Sequence, residues 1–196
     1  YWPKESSITK STERVSKAFV KGLRARIALY ACGYALRGDG YRRSNDPELS
    51  QDKMMQIVKD ECIDVINQGS NKLGDFKSNF VKLCQDNVTA GDESLWEIPV
   101  SDGRGRVLYT WGWKHKTTDQ WTGLAKGCVN GPTPTLWYDF DKDDARRNIT
   151  CIPFTWDNGE KTISGGSGGG WSFGKLRFEW MSRKVTSTND DGINYQ

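Results

Sequence analysis

Nine tryptophans in 196 residues are the side chains of this sequence best suited to binding chemistry. An indole presents a flat apolar face that stacks on the C–H face of a sugar ring, and its N–H donates beside that contact. Tyr109, Trp111 and Trp113 alternate along one short run, and Trp121 and Trp137 follow in the connections beyond it. These five are the candidate glycan-binding residues. The competing reading is that the same face packs on helices. With Lys114, Lys116, Asp119 and Gln120 alongside, both readings stay open for Trp111, Trp113 and Trp121. Trp96 and Trp180 stand in alternating apolar runs and read as core.

Catalytic constellations find less support. His115 is the only histidine, so a metal site built from several histidines is excluded, and no G-x-S-x-G elbow offers it a nucleophile. His115 reads as a structural residue. The glycine-rich run from Ser164 to Gly170 lacks the Lys-Ser/Thr ending of a phosphate-binding loop. Asp139-Phe140-Asp141-Lys142-Asp143-Asp144 starts like a calcium loop. However, Asp144 stands where the loop needs glycine and Thr150 where it needs a bidentate Glu. Arg146 and Arg147 are the expected salt-bridge partners of these carboxylates. Glu93, Glu97, Glu160 and Glu179 could serve a glycosidase, yet nothing in the sequence opposes any two of them. Glu97 and Glu179 read as solvated carboxylates on strands. Five cysteines, Cys32, Cys62, Cys84, Cys128 and Cys151, contain no C-x-x-C pair. The first three read as small buried hydrophobes of helices. The reading is therefore of a protein that is not an enzyme and uses no metal or cofactor.

Charge and composition narrow the class. The net charge of +3 is too mild to argue for nucleic acid, although residues 1–45 hold ten Lys or Arg against Glu5, Glu13 and Asp39. Arg14, Lys17, Lys21 and Arg24 recur at helical spacing and read as a solvated face. No apolar run approaches the roughly 18 to 20 residues of a membrane-spanning helix. An aromatic content of 12% argues against a disordered chain.

These residues need elements to position them. Up to about Gln85 the apolar period is helical. A first helix is predicted from about Thr12, capped by Ser11 or Thr12, to Ala35. Its core stripe would be Val15, Ala18, Phe19, Gly22, Leu23, Ile27, Tyr30 and Tyr34, with small residues allowing close helix approach. A second is predicted over Gln51–Gln68, with Ser50 as cap, Leu49 and Met54 as a hydrophobic staple and Gly69 at C′. Its buried stripe would be Met54, Met55, Val58, Cys62, Val65 and Ile66. A shorter helix carries Phe76, Phe80 and Leu83. From Leu95 the period becomes two, predicting strands over Leu95–Val100, Val107–Trp113 and Lys175–Trp180. Residues 1–90 thus form a helical segment like one tetratricopeptide hairpin, and 91–196 a segment of short strands and long loops.

The order of motifs resembles the SusD/RagB family of outer-membrane nutrient-binding lipoproteins. Residues 14–31, RVSKAFVKGLRARIALYA, resemble the family's R-V-(S/T)-K-x-A-x-x-A-L-x-A-R-x-x-L-Y helix. Val65-Ile66-Asn67-Gln68-Gly69 is similar to the V-I-x-S-G that closes its second helix. Residues 92–100, DESLWEIPV, resemble its N-x-E-x-I-F-E-V-P strand, and residues 143–147, DDARR, its D-x-R-R segment. Residues 174–177, GKLR, resemble its G-K-(Y/L)-R element, and Asp191-Gly192-Ile193-Asn194 the entry to its next helix.

The resemblance implies an internal segment of a longer chain. It implies a mainly α scaffold with tetratricopeptide-like units and a loop-rich β and irregular part that faces ligand. The implied function is capture of oligosaccharide at the cell surface and its delivery to a TonB-dependent (SusC-like) outer-membrane transporter. The intact protein would be held in the outer membrane by an N-terminal lipid anchor outside this chain, and nucleic acid would not be a partner. The alternative from another class is a helical-repeat scaffold that binds a protein and no glycan.

Overall fold

The computed structural model describes residues 1–98, 112, 130–163 and 171–182. Among these residues the architecture is mixed, with five α-helices and short antiparallel strands in two-stranded sheets. Two compact units divide the chain: Tyr1–Leu73 with Thr89–Glu97, and Gly74–Val88 with Ile98–Gln196. The predicted strand Val107–Trp113 lies outside the described residues apart from Gly112. The glycine-rich run, His115 and Cys128 also lie outside them.

The first unit is built on two helices, α1 (Lys17–Ala31) and α2 (Gln51–Gln68). Between them lies a hairpin of β1 (Ala35–Arg37) and β2 (Gly40–Arg42). α1 starts five residues later than the periodicity predicts. Thr12 is buried, and its carbonyl accepts the backbone N–H of Glu97 at 3.1 Å, which holds that stretch out of the helix. Ser16 is the cap instead, its hydroxyl accepting from the N–H of Phe19. The C-terminal end also falls earlier, because Ala35 already belongs to β1. α2 has the predicted bounds, and Gly69 closes it at φ 62°, in the left-handed region that favours glycine. Ser50 holds the N-cap position without a side-chain cap bond. Just before it, Asp46 caps a 3-10 turn over Pro47–Leu49, accepting from the N–H of Glu48 at 2.9 Å.

The helix faces match the predicted ones only in part: Ala18 is buried and Phe19, Met54, Val58 and Val65 are half-buried, as expected. Ala18, Ala25, Ala28 and Cys32 are buried, whereas Val15, Leu23, Ile27, Tyr30 and Tyr34 are exposed. On α2, Met55, Cys62 and Ile66 are exposed, and the buried residue is Glu61. Glu61 accepts from Lys21 Nζ at 2.7 Å and pairs with Arg24, while Lys21 also pairs with Asp64 at 2.7 Å. Two cations read as a solvated face therefore reach across to α2. A contact made of alanines and a buried carboxylate selects a different stripe from one made of large apolar side chains. Lys21, as a hydrogen-bond donor and with the charge of Arg24 adding to its own, holds the Glu61 carboxyl below its ordinary range against the opposing effect of burial.

The return segment Thr89–Glu97 packs on the same helix. The Trp96 ring lies 4.7 Å from Phe19, and its Nε1 donates to the Glu13 carbonyl at 3.0 Å. Trp96 is thus a packing residue, as its pattern suggested. Residues 95–98 form no strand, since this docking takes the place of a ladder.

In the second unit α3 (Phe76–Cys84) is capped by Asp75, which accepts from Ser78 N and Oγ at 2.8 and 2.6 Å. Helices α4 (Pro134–Asp139) and α5 (Arg147–Thr150) follow. β3 (Cys151–Ile152) pairs with β6 (Ser172–Phe173), and β4 (Phe154–Asp157) pairs with β5 (Glu160–Ile163). The β4–β5 turn is Asn158-Gly159, both at positive φ, a local hairpin signal that periodicity alone passes over. Among the described cysteines Cys32, Cys84 and Cys151 are buried and Cys62 is exposed; all four are free thiols. Burial pushes the Cys84 thiol up to about 11.

Replacing Glu61 by Gln should cost about 1–3 kcal/mol, because Lys21 and Arg24 lose the buried charge they are arranged around. Asp64→Asn, at a half-exposed position, should cost under about 0.5 kcal/mol. Urea midpoints measure both. A depressed carboxyl stabilises the fold above its unfolded pKa. That contribution should fade as pH drops below about 4, and the fading should be absent in Glu61→Gln.

Candidate ligand site

The second unit is organised around Arg177. Residues 175–180 alternate like a strand, yet only a 3-10 turn, Phe178–Trp180, forms there. Leu176 and Phe178 are buried, as a strand would have them. Arg177 between them is buried as well, contrary to the alternation. Its guanidinium donates to the carbonyls of Gly174 at 2.5 Å, Asn148 at 2.8 Å and Ile149 at 3.4 Å. It also bonds Glu179 Oε1 at 3.1 Å and lies 4.4 Å from the centre of the Trp180 ring. Those bonds replace a ladder, and Trp180 packs beneath the guanidinium rather than on a sheet.

Arg177 joins the end of β6 to α5, and both elements carry aromatic or cationic groups at their edges. Gly174 fits so closely that a Cβ there would lie 2.4 Å from Ile152 Cγ1 and 2.5 Å from the Ile149 carbonyl. Trp171 precedes β6, and Arg147 begins α5. The Arg147 guanidinium lies 4.4 Å from the centre of the Trp137 ring on α4. Trp137 meets Trp171 edge to face at 5.6 Å and Tyr138 edge to face at 5.1 Å, while Tyr138 and Trp171 are 6.3 Å apart. Three rings from two chain segments thus form one cluster, with Tyr138 exposed and both indoles half-buried. Trp137 Nε1 and Arg147 Nε are shielded from solvent without a hydrogen-bond partner among the described residues.

Of the five aromatics singled out from the sequence, Trp137 belongs to this cluster. Tyr109, Trp111, Trp113 and Trp121 lie outside the described residues. Tyr138, Arg147 and Trp171 were not singled out as ligand residues, and no spacing rule connects them to Trp137. Arg147, read as a partner for the neighbouring aspartates, is turned to Trp137. Arg146 keeps the expected role and pairs with Asp144 at 2.6 Å. Its hydrogen bonds hold the Asp144 carboxyl below the usual range.

Glu179 is not the solvated carboxylate its place in the alternation suggests. One oxygen pairs with Arg177 and the other accepts from Trp156 Nε1 at 3.2 Å. Among the described residues no group of three or more His, Cys, Asp or Glu is arranged to hold a metal ion. Nor is any helix there long and apolar enough to cross a membrane. Comparison with protein-family models, with curated proteins and with solved structures finds no match in any of the three.

A lysine at position 177 cannot reproduce a fork that reaches carbonyls on two segments, so Arg177→Lys should destabilise the unit by about 2–3 kcal/mol. Arg146→Lys, at an exposed guanidinium, should leave stability nearly unchanged. Chemical denaturation followed by far-ultraviolet circular dichroism separates the two.

Proposed function

We propose that this chain is the ligand-capturing part of a non-enzymatic, cell-surface nutrient-binding lipoprotein. It takes up oligosaccharide and passes it to a TonB-dependent transporter of the outer membrane. The observation that carries the reading is the cluster of Trp137, Tyr138 and Trp171. Its rings offer apolar faces at differing tilts, and Tyr138 adds an exposed hydroxyl-bearing edge. Stacking on sugar C–H faces uses such surfaces without any group for bond cleavage. The motif order resembling SusD/RagB proteins supports the same conclusion independently.

The non-enzymatic part rests on how the carboxylates are used. Glu179, one of the acids available for glycoside hydrolysis, is engaged by Arg177 and Trp156. A hydrolase needs two opposed carboxyl groups free to exchange protons. Among the described residues, the rings of the platform meet one another and the guanidinium of Arg147.

A glycan array read with the intact chain tests the reading. Binding should be detected, and Tyr138→Ala should weaken it about three- to tenfold, the worth of one stacking partner. Because Tyr138 is 72% exposed, the fold should be unaffected. Retention of full binding in both Tyr138→Ala and Trp171→Ala would remove this platform. Release of reducing sugar, abolished in Glu179→Gln, would overturn the non-enzymatic assignment.

A further inference from the structure

The first unit carries a surface that glycan capture leaves unused. In the β1–β2 hairpin Leu36 pairs with Tyr41, so the two side chains share a face. Tyr34 stacks on Tyr41 at 5.6 Å, and Arg43 lies 5.1 Å over Tyr34, which extends the same face at the open end of the hairpin. This face is open: Tyr34 is 58%, Leu36 84% and Tyr41 72% exposed. On α1, Leu23, Ile27 and Tyr30 are exposed as well, which follows from the alanine seam facing α2. Leu23, Arg26, Ile27, Tyr30 and Ala31 line a shallow depression of about 430 Å³.

Charge here is predominantly positive, with Asp39 at the hairpin turn paired with Arg42. No Asp or Glu occurs from Arg14 to Gly38, and residues 1–45 carry a net +7 while the remainder of the chain is net −4. Lys21 and Arg24 are engaged by Glu61 and Asp64, and Arg42 by Asp39. Arg26 and Arg43 form no ion pair among the described residues. Exposed tyrosines and aliphatic tips beside cationic side chains, with Arg43 donating to Gln51 Oε1 and lying over Tyr34, are the composition of a surface that lies on a membrane interface.

We propose that this face docks on an anionic phospholipid bilayer. Tyr34, Leu36 and Tyr41 enter the headgroup region, an acyl segment lies in the depression on α1, and Arg26 and Arg43 meet lipid phosphates. A peptide is the poorer occupant. The depression offers little besides Arg26 and the Tyr30 hydroxyl to pair with a backbone, whose buried polar groups would be left unsatisfied. An acyl chain makes no such demand. This contact is separate from the lipid anchor of the proposed function, and none of its residues belongs to the aromatic cluster of the second unit.

Co-sedimentation of the chain with vesicles tests the proposal. It should pellet with phosphatidylcholine vesicles containing phosphatidylglycerol and stay in solution with phosphatidylcholine alone. Arg26→Ala and Arg43→Ala should each weaken binding about fivefold, the worth of one cation at an anionic surface. The double variant Leu36→Ser/Tyr41→Ser should lose it. Circular dichroism should match the parent for Arg26→Ala and Leu36→Ser/Tyr41→Ser, whose side chains are exposed, and is the control for Arg43→Ala, which also releases Gln51. Failure to bind anionic vesicles, equal binding to both vesicle types, or full binding by the double variant would overturn the proposal. So would a dimer in analytical ultracentrifugation that the double variant abolishes while the parent ignores vesicles, because the face would then be a protein interface.

Discussion

The guanidinium of Arg177 is the constraint on which the candidate site rests. It is buried, and it bonds the carbonyl of Gly174 together with those of Asn148 and Ile149. Those carbonyls belong to segments that are remote in sequence and short in regular structure. Two-residue strands such as β3 and β6 supply too few ladder bonds to hold themselves in place. A charged fork satisfying several carbonyls at once supplies what the ladder lacks. Trp171 leads into one of these segments and Arg147 into the other, so the Trp137–Tyr138–Trp171 cluster inherits its geometry from Arg177.

The first unit solves a related problem with the opposite charge. Small side chains bring α1 close to α2 but bury little apolar area, and Glu61 with its two cations gives the contact its specificity. A buried carboxylate must be paired or it destabilises the fold, so Lys21 and Arg24 are bound to one register of the two helices. The consequence for the rest of α1 is direct. With alanines on the inner side, Leu23, Ile27 and Tyr30 are left outside, and a large apolar surface becomes available for contact with something other than the fold.

How much of this was legible in the sequence depended on whether the deciding contact was local. Both ends of α2 could be read because Ser50 and Gly69 adjoin them. The start of α1 could not, because Thr12 is claimed by Glu97, far along the chain. Alternation over 175–180 imitated a strand because Leu176 and Phe178 are both buried, yet Arg177 between them is buried too, for bonds that no periodicity encodes. The Asn158-Gly159 turn was a local signal that went unread. In the aromatic cluster, indole chemistry pointed to Trp137. Its union with Trp171 and Arg147 arises from packing between segments, which residue spacing cannot foresee.

The central claim is that rings brought together by this packing receive a saccharide. Indole N–H resonances of the nine tryptophans, recorded while soluble oligosaccharides identified by binding are titrated in, test it most directly. The account predicts that the Trp137 and Trp171 signals shift together and saturably. Trp96, whose N–H is committed to the Glu13 carbonyl, should stay in place. A saturable titration in which neither Trp137 nor Trp171 moves would contradict it.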